Sequence, residues 1–248
     1  MMTQLILAVN VDSLPKAKRL YRRTQGWIDV YKVGIDLFTR TGPRIVKLFT
    51  DLDARVFLDL KLNDIPSIVA QSALAIAKMG VDMFTIHTTG GLQMMREAVN
   101  IVHDYCGKKR LKKCPLILGV TVLTSLDDKS LALVSGHKKP VPVRDRVVEL
   151  AELAKKAGLD GVIASAHEVP DIKKACGKDF ITVCPGIRLP EEAPVSGIDD
   201  QARIITPGEA ARKGADYIVL GRPIIQALDP VAVLEQVKKE IETKKAKG

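Results

Sequence analysis

No stretch of the chain approaches the ~18 consecutive apolar residues of a membrane span, so neither a transmembrane helix nor a membrane partner is expected. The opening Met1-Met2-Thr3-Gln4 lacks the basic region and cleavage signal of a secretory peptide, and the expected compartment is the cytoplasm. Cysteine is scarce. The four present, Cys106, Cys114, Cys176 and Cys184, form no C-x-x-C pair and have no histidine at ligand spacing. Neither a metal site nor a disulfide framework is implied, and reduced thiols are expected. Aromatic residues make up only 4%. None interleaves the basic runs Lys108-Lys109-Arg110 with Lys112-Lys113, Lys138-Lys139, Lys238-Lys239 and Lys244-Lys245, and no nucleic-acid motif accompanies them. The net charge of +9 therefore raises nucleic-acid binding only as a question. The runs read as solvated surface that favours anionic ligands, with no nucleic-acid partner. No G-x-G-x-x-G follows the first strand, which argues against a dinucleotide site.

What is present is a chain of 248 residues, 46% of them hydrophobic, enough for one domain with a sizeable core. A recurrence organises it: Gly26-Trp27-Ile28-Asp29, Gly80-Val81-Asp82, Gly158-Leu159-Asp160 and Gly214-Ala215-Asp216 each precede a short apolar run. A glycine can close a helix, the acid passes the turn, and the apolar run reads as a buried strand. Strands are expected near Leu5-Val9, Ile28-Val33, Val56-Leu60, Met83-His87, Leu116-Val122, Gly161-Ala164, Ile181-Cys184 and Tyr217-Leu220. Helical patterns cover Leu14-Arg23, Ile65-Met79, Leu92-Tyr105, Val143-Ala157, Val169-Ala175, Pro207-Arg212 and Pro230-Glu242, with a weaker one through Pro43-Thr50. Eight βα units predict a single (β/α)8 TIM barrel of the α/β class over residues 1–248, with an open doubly wound sheet as runner-up.

On a closed barrel the C-terminal strand ends converge, and here they are polar. They offer Asn10, Lys32, Asp59 with Lys61, His87, Thr124, Ser165, Arg188 and Gly221-Arg222. The third strand stands out, because Phe57-Leu58-Asp59-Leu60-Lys61-Leu62-Asn63-Asp64-Ile65-Pro66 ends an apolar strand in three alternating charges. Side chains two apart share a face, so Asp59 and Lys61 point one way and the leucines the other. The bland alternative is an edge-strand salt bridge. Pro185-Gly186-Ile187-Arg188 and Leu220-Gly221-Arg222-Pro223 sit where barrels often bind phosphate, with glycine admitting close backbone approach and arginine offering a fork of donors. Between them a loop at about 187–205 reads as a lid whose Gln201 and Arg203 reach a bound ligand on closure. Asp127-Pro142 reads as a polar surface insertion, and the C-terminus as a basic tail. His87 reads as a satisfied polar group near the mouth, Met94-Met95 as helix packing, and Ser165 as a possible lining residue.

The stretch from Asp59 through Lys61 and Asp64-Ile65-Pro66 resembles the D-x-K-x-x-D-I-P signature of the orotidine 5'-phosphate decarboxylase family. The likeness extends through Tyr31-Lys32-Val33-Gly34, His87-Thr88-Thr89-Gly90-Gly91, Val122-Leu123-Thr124-Ser125, Pro185-Gly186-Ile187-Arg188, Asp200-Gln201-Ala202-Arg203, Thr206-Pro207 and Gly221-Arg222-Pro223. The resemblance implies a homodimeric barrel, free of cofactor and metal, that converts orotidine 5'-monophosphate to UMP. It makes Lys61, Asp59 and Lys32 catalytic together with Asp64, which the partner subunit contributes. Carried over in the same way, Thr124 contacts the pyrimidine side and Ile65 approaches the nucleotide from the partner, and Pro66, Ser67, Ile68 and Pro185 count among the substrate-binding residues. Gln201 bridges towards phosphate, which Arg188, Gly221 and Arg222 hold. One position departs from the pattern: the first strand ends in Asn10 where the family usually has a ribose-binding aspartate that pairs with the lysine of the second strand. Asn10 donates and accepts hydrogen bonds but brings no charge, and Asp12, two residues on, is the candidate substitute.

The chemistery suits these residues, since loss of carbon dioxide from C6 leaves a charge that the ring carbonyls cannot delocalise and a fixed ammonium can stabilise. Two rivals stay open. The D-x-K-x-x-D pattern also resembles barrels acting on sugar phosphates, a magnesium-dependent hexulose phosphate synthase and a ketogulonate phosphate decarboxylase. A non-catalytic module binding a phosphorylated ligand or nucleic acid would account for the charge and for Asn10.

Overall fold

A computed structural model describes residues 2–189 and 205–243. Eight parallel strands, β1 (Gln4–Ala8), β2 (Val30–Gly34), β3 (Val56–Leu62), β4 (Met83–His87), β5 (Leu116–Val120), β6 (Gly161–Ile163), β7 (Ile181–Cys184) and β8 (Tyr217–Leu220), pair in sequence order and close, β1 lying beside β8. The helices are α1 (Leu14–Thr24), α2 (Ile35–Thr41), α3 (Arg44–Thr50), α4 (Pro66–Lys78), α5 (Gly91–Lys109), α6 (Asp128–Val134), α7 (Val143–Ala157), α8 (Val169–Cys176), α9 (Pro207–Arg212), α10 (Arg222–Ile225) and α11 (Pro230–Thr243). The barrel is thus the expected one, and no open-sheet edge remains.

Alternation along each strand divides the apolar side chains into two cores. Ile6, Val30, Phe57, Met83, Leu118, Val183 and Val219 fill the barrel interior. Leu5, Leu7, Val33, Leu58, Phe84 and Ile218 face outward and pack under the helices. Counting two residues on from the inward set reaches Lys32, Asp59 and Thr85, so the strand period alone aims these polar groups into the top of the barrel.

The recurring acid has a definite task at the opposite end. Asp29 accepts the backbone N–H of Leu5 at 2.7 Å, Asp82 that of Val56 at 2.9 Å, Asp160 that of Ile117 at 2.7 Å and Asp216 that of Thr182 at 2.7 Å. Each acid immediately precedes an even-numbered strand and ties down an amide in the first two residues of the odd-numbered strand before it. A strand-end amide left unpaired in a closed barrel costs about 1–3 kcal/mol, and four repeats of one residue remove that cost all round the ring. One of the basic runs has a local explanation: Lys108-Lys109 occupies the last turn of α5, as Lys155-Lys156 and Lys173-Lys174 do in α7 and α8, where positive charge offsets the helix carbonyl ends.

Several expectations need correcting. Strand limits move by one or two residues, as at β1, which ends at Ala8 rather than Val9, and at β5, which ends at Val120 rather than Val122. Helix α2 was not expected; it starts directly on β2 with only Gly34 as cap. The Asp127-Pro142 insertion contains α6, capped by the Asp127 carboxylate on the Ser130 N–H, with Leu131 and Ala132 buried beneath it. Cys106 and Cys114 are not reduced thiols but a disulfide, their Cα atoms 5.8 Å apart. Eight residues of separation did not suggest it because the approach depends on Arg110, whose left-handed φ of +51° ends α5 and turns the chain back. The Leu111 N–H then bonds the Cys106 carbonyl at 3.0 Å.

Chain entropy assigns a crosslink over so short a loop about 2–3 kcal/mol. Denatured, unreduced protein should titrate two thiols, Cys176 and Cys184, and reduction should lower the urea midpoint by a corresponding amount; four titratable thiols would remove the bridge.

Candidate active site

The upper layer of the barrel is organised on one carboxylate. Asp59 is buried, its Oδ1 receiving Lys61 Nζ at 2.8 Å and its Oδ2 receiving Lys32 Nζ at 3.0 Å. Burial alone would raise the Asp59 carboxyl, but the two ammonium groups outweigh it and hold the group below the usual carboxylate range. His87, at the end of β4, is also lowered, by burial first and by the charge on Lys61. Its Nδ1 lies 3.3 Å from the Thr89 hydroxyl, in keeping with a satisfied polar group.

Two adjoining cavities share Lys32, Asp59 and Lys61. One, about 230 Å³, runs over the apolar barrel top and is bordered by Val122, Thr124, Ile163 and Pro185. The other, about 390 Å³, is bordered by Asn10, Gly34, Ile35 and Asp36. A ligand with an apolar ring and a polar arm would span both, with the charged trio at the join.

The strand that carries the trio is irregular. From Leu58 to Leu62, β3 advances four residues while its partner advances only two, from Phe84 to Ile86. Lys61 sits within this slip with a left-handed φ of +55°. A non-glycine residue adopts that conformation at a cost of roughly 1–3 kcal/mol. Its N–H, which the slip turns off the ladder, donates to Thr85 Oγ1 at 2.9 Å, and the Thr85 hydroxyl donates on to Asp59 Oδ1 at 3.0 Å.

The other expected residues are distributed unevenly. Thr124 and Pro185 line the apolar cavity and Asn10 the polar one. Gly221 lies close to Asn10, a Cβ there coming 3.6 Å from Asn10 Nδ2. Arg222 opens α10 beside it, and Arg188 is half-buried, its N–H bonded to the Ile205 carbonyl at 3.1 Å. The Ile187–Ile205 bridge draws the two ends of the expected loop together, while Gln201 and Arg203 lie outside the described residues. Asp12 does not replace a strand-end acid: its carboxylate pairs with Lys16 at 2.6 Å. Ser165 is buried with its Oγ 3.4 Å from the His167 N–H, and Ile163 and Ala164 line the cavity in its place.

Asp64 and its successors stand apart from the trio. Among the described residues no ion pair joins Asp64 to Lys61; the Asp64 side chain accepts the Ile65 N–H at 2.6 Å. Ile65 is 62% and Ile68 49% exposed, with Pro66 half-buried and Ser67 open between them. Large apolar groups left uncovered beside a site mark a surface that something else covers.

The model of the orotidine 5'-phosphate decarboxylase / HUMPS family matches residues 3–237. The chain belongs to this family. It is 44% identical over 238 residues to orotidine 5'-phosphate decarboxylase of Syntrophotalea carbinolica, covering 96% of this chain and 94% of that one. The enzyme of that name from Syntrophus aciditrophicus is 48% identical, over 89% of this chain and 85% of its own. A solved structure of orotidine 5'-phosphate decarboxylase from Lactobacillus acidophilus superposes with a TM-score of 0.80 at 34% identity, covering 97% of this chain and 99% of that one.

The paired state of Asp59 makes a signed prediction. Its folded pKa is depressed, so its contribution to stability is present above the unfolded carboxyl value and is lost as pH falls through the folded one. Asp59→Asn should be less stable than the parent at pH 7, and the gap should narrow on the acid side. Urea midpoints measured against pH test this, and a constant gap would contradict it.

Proposed function

We propose that the chain binds orotidine 5'-monophosphate across the two cavities and releases carbon dioxide and UMP, a step of pyrimidine biosynthesis. It is a cofactor-independent carboxy-lyase of its family. The observation that carries the site assignment is the Asp59 carboxylate held between Lys32 and Lys61 at the join of the two cavities. The family description also spans HUMPS members, but the near-full-length relatives bear the nucleotide decarboxylase name, which favours the nucleotide over a sugar phosphate.

In this reading the bond from C6 to the carboxylate carbon breaks, and the electron pair stays on C6. Lys61 faces that carbon, stabilises the developing charge and gives C6 a proton from its ammonium. Asp59 holds the Lys61 ammonium in place, and Lys32 shares the same carboxylate. Lys61 then recovers a proton from solvent. The pyrimidine lies towards Thr124 and Pro185, the ribose towards Asn10, and the phosphate towards Arg188, Gly221 and Arg222, with Gln201 reaching it from the loop.

The working unit is a homodimer. Asp64 and Ile65, followed by Pro66, Ser67 and Ile68, cross to the partner's site, a reading supported by the separation of Asp64 from its own Lys61 and by the uncovered isoleucines. Two-fold symmetry would complete both sites by one contact. Among the described residues no helix is long and apolar enough to cross a membrane. We assign the enzyme to the cytoplasm, where the Cys106–Cys114 bridge would be one of the less common disulfides of a reducing compartment.

Lys61→Ala should reduce decarboxylation of orotidine 5'-monophosphate by more than about a thousandfold, as expected when the one ammonium at the reacting carbon is lost, while UMP binding stays measurable by calorimetry. Turnover near that of the parent would refute the role of Lys61. Mixing Lys61→Ala with Asp64→Ala subunits should restore activity, because a heterodimer contains one site with both residues intact. No recovery in heterodimers verified by mass would end the shared-site reading.

A further inference from the structure

We propose that Thr85 is a positioning residue of the decarboxylation site: its hydroxyl, on the neighbouring strand, binds the Lys61 backbone and the Asp59 carboxylate together and so fixes where the Lys61 ammonium stands. The proposal rests on the reading of Lys61 as the proton donor.

Lys61 is the one residue of β3 that combines a left-handed backbone with a catalytic side chain. Such a conformation persists only where surrounding contacts over-determine it. The slip between β3 and β4 removes the ladder contact that would ordinarily do so. The replacement is Thr85 Oγ1, 2.9 Å from the Lys61 nitrogen. A threonine hydroxyl has one proton to give, and here it goes to Asp59 Oδ1 at 3.0 Å, the same oxygen that receives Lys61 Nζ at 2.8 Å. Main-chain N–H, hydroxyl, carboxylate and ammonium therefore form a closed circuit, in which the backbone and the head group of one lysine are referred to one fixed point. Thr85 itself is fully buried. It stands on a regular part of β4, whose Thr85 pairs with Leu118 of β5 in unbroken register, so the fixed point belongs to the rigid side of the slip.

A purely structural hydroxyl would repair the unpaired amide and do nothing else. Removing it would lower stability and leave turnover alone. A positioning hydroxyl makes a different demand, because the ammonium must meet C6 within a fraction of an ångström, and an error of about 1 Å can cost a factor of about 100 in rate. The carboxylate also loses a donor, which raises its pKa and moves the acid limb of activity upward.

The test compares purified full-length Thr85→Val, Thr85→Ser and parent in steady-state decarboxylation over pH. Thr85→Val, close in shape but without the hydroxyl, should lower kcat about 10- to 100-fold with KM within about threefold, and shift the acid limb of kcat to higher pH. Thr85→Ser should return kcat to within about threefold of the parent. Should the valine chain not fold, Thr85→Ala carries the same expectation. A folded hydroxyl-free variant with parental kcat and acid limb overturns the proposal, as does a serine variant as impaired as the valine one. Lys61→Ala, run alongside, separates the two readings. If it is inactive while Thr85→Val is fully active, only the positioning role falls; if it stays active, the donor reading falls first.

Discussion

The site depends on a single buried carboxylate that must satisfy two cations. Two ammonium groups aimed into one barrel mouth repel each other, and in a medium of low dielectric that repulsion is several kcal/mol at contact distances. Asp59 removes it by giving one oxygen to each lysine. The consequence runs both ways, since the lysines outweigh the desolvation that would otherwise neutralise the acid. The arrangement is thus a pre-formed electrostatic environment, ready before any ligand arrives, which is the state in which fixed charges accelerate a reaction most.

The two ends of the barrel use aspartate for opposite purposes. At the lower end Asp29, Asp82, Asp160 and Asp216 accept strand amides and close the ladder. Asp160 shows the cost of that role: burial raises its carboxyl and outweighs the hydrogen bond from the Ile117 N–H that would lower it. At the upper end regular ladder contacts are given up. The β3 slip and the left-handed Lys61 are departures that a strand built for stability alone would not contain. Stabilising contacts gather at one rim and the candidate site at the other, and the inward alternation of each strand connects the two.

Most of the barrel was legible because its signals were repeated. Four glycine-to-aspartate turns and eight apolar runs of strand length place every strand, and the strand period then aims Lys32 and Asp59 inward without further information. What escaped had no repeat to lean on. Helix α2 starts directly on β2, whose last residue Gly34 is its cap, so no polar punctuation marks its start. Helix α6 hides in a polar stretch, with its cap at Asp127 but only two buried residues. The disulfide turns on the conformation of Arg110. Thr85 was missed for a different reason: one threonine in an apolar strand carries no mark, and its partners lie 24 and 26 residues away on a strand whose register has slipped. An inward position beside the D-x-K strand was the only available clue.

The charge count of the site bears on the one position that departs from the family pattern. Within one chain Lys32, Lys61 and Asp59 leave a single positive charge. In the proposed dimer the partner's acid brings the group to neutrality, whereas a strand-one aspartate in place of Asn10 would make it negative. Asn10 adds dipoles but no charge, and Asp12 is committed to Lys16. Lys32 therefore has Asp59 as its anchoring carboxylate and no second acid from β1. A mouth that is neutral before binding repels an anionic nucleotide less than a negative one does, and it also presses less on the carboxylate that is to leave. On the proposed mechanism, the balance of this site shifts from destabilising the bound substrate towards stabilising the charge that forms at C6, which would place the greater share of the work on the position of the Lys61 ammonium.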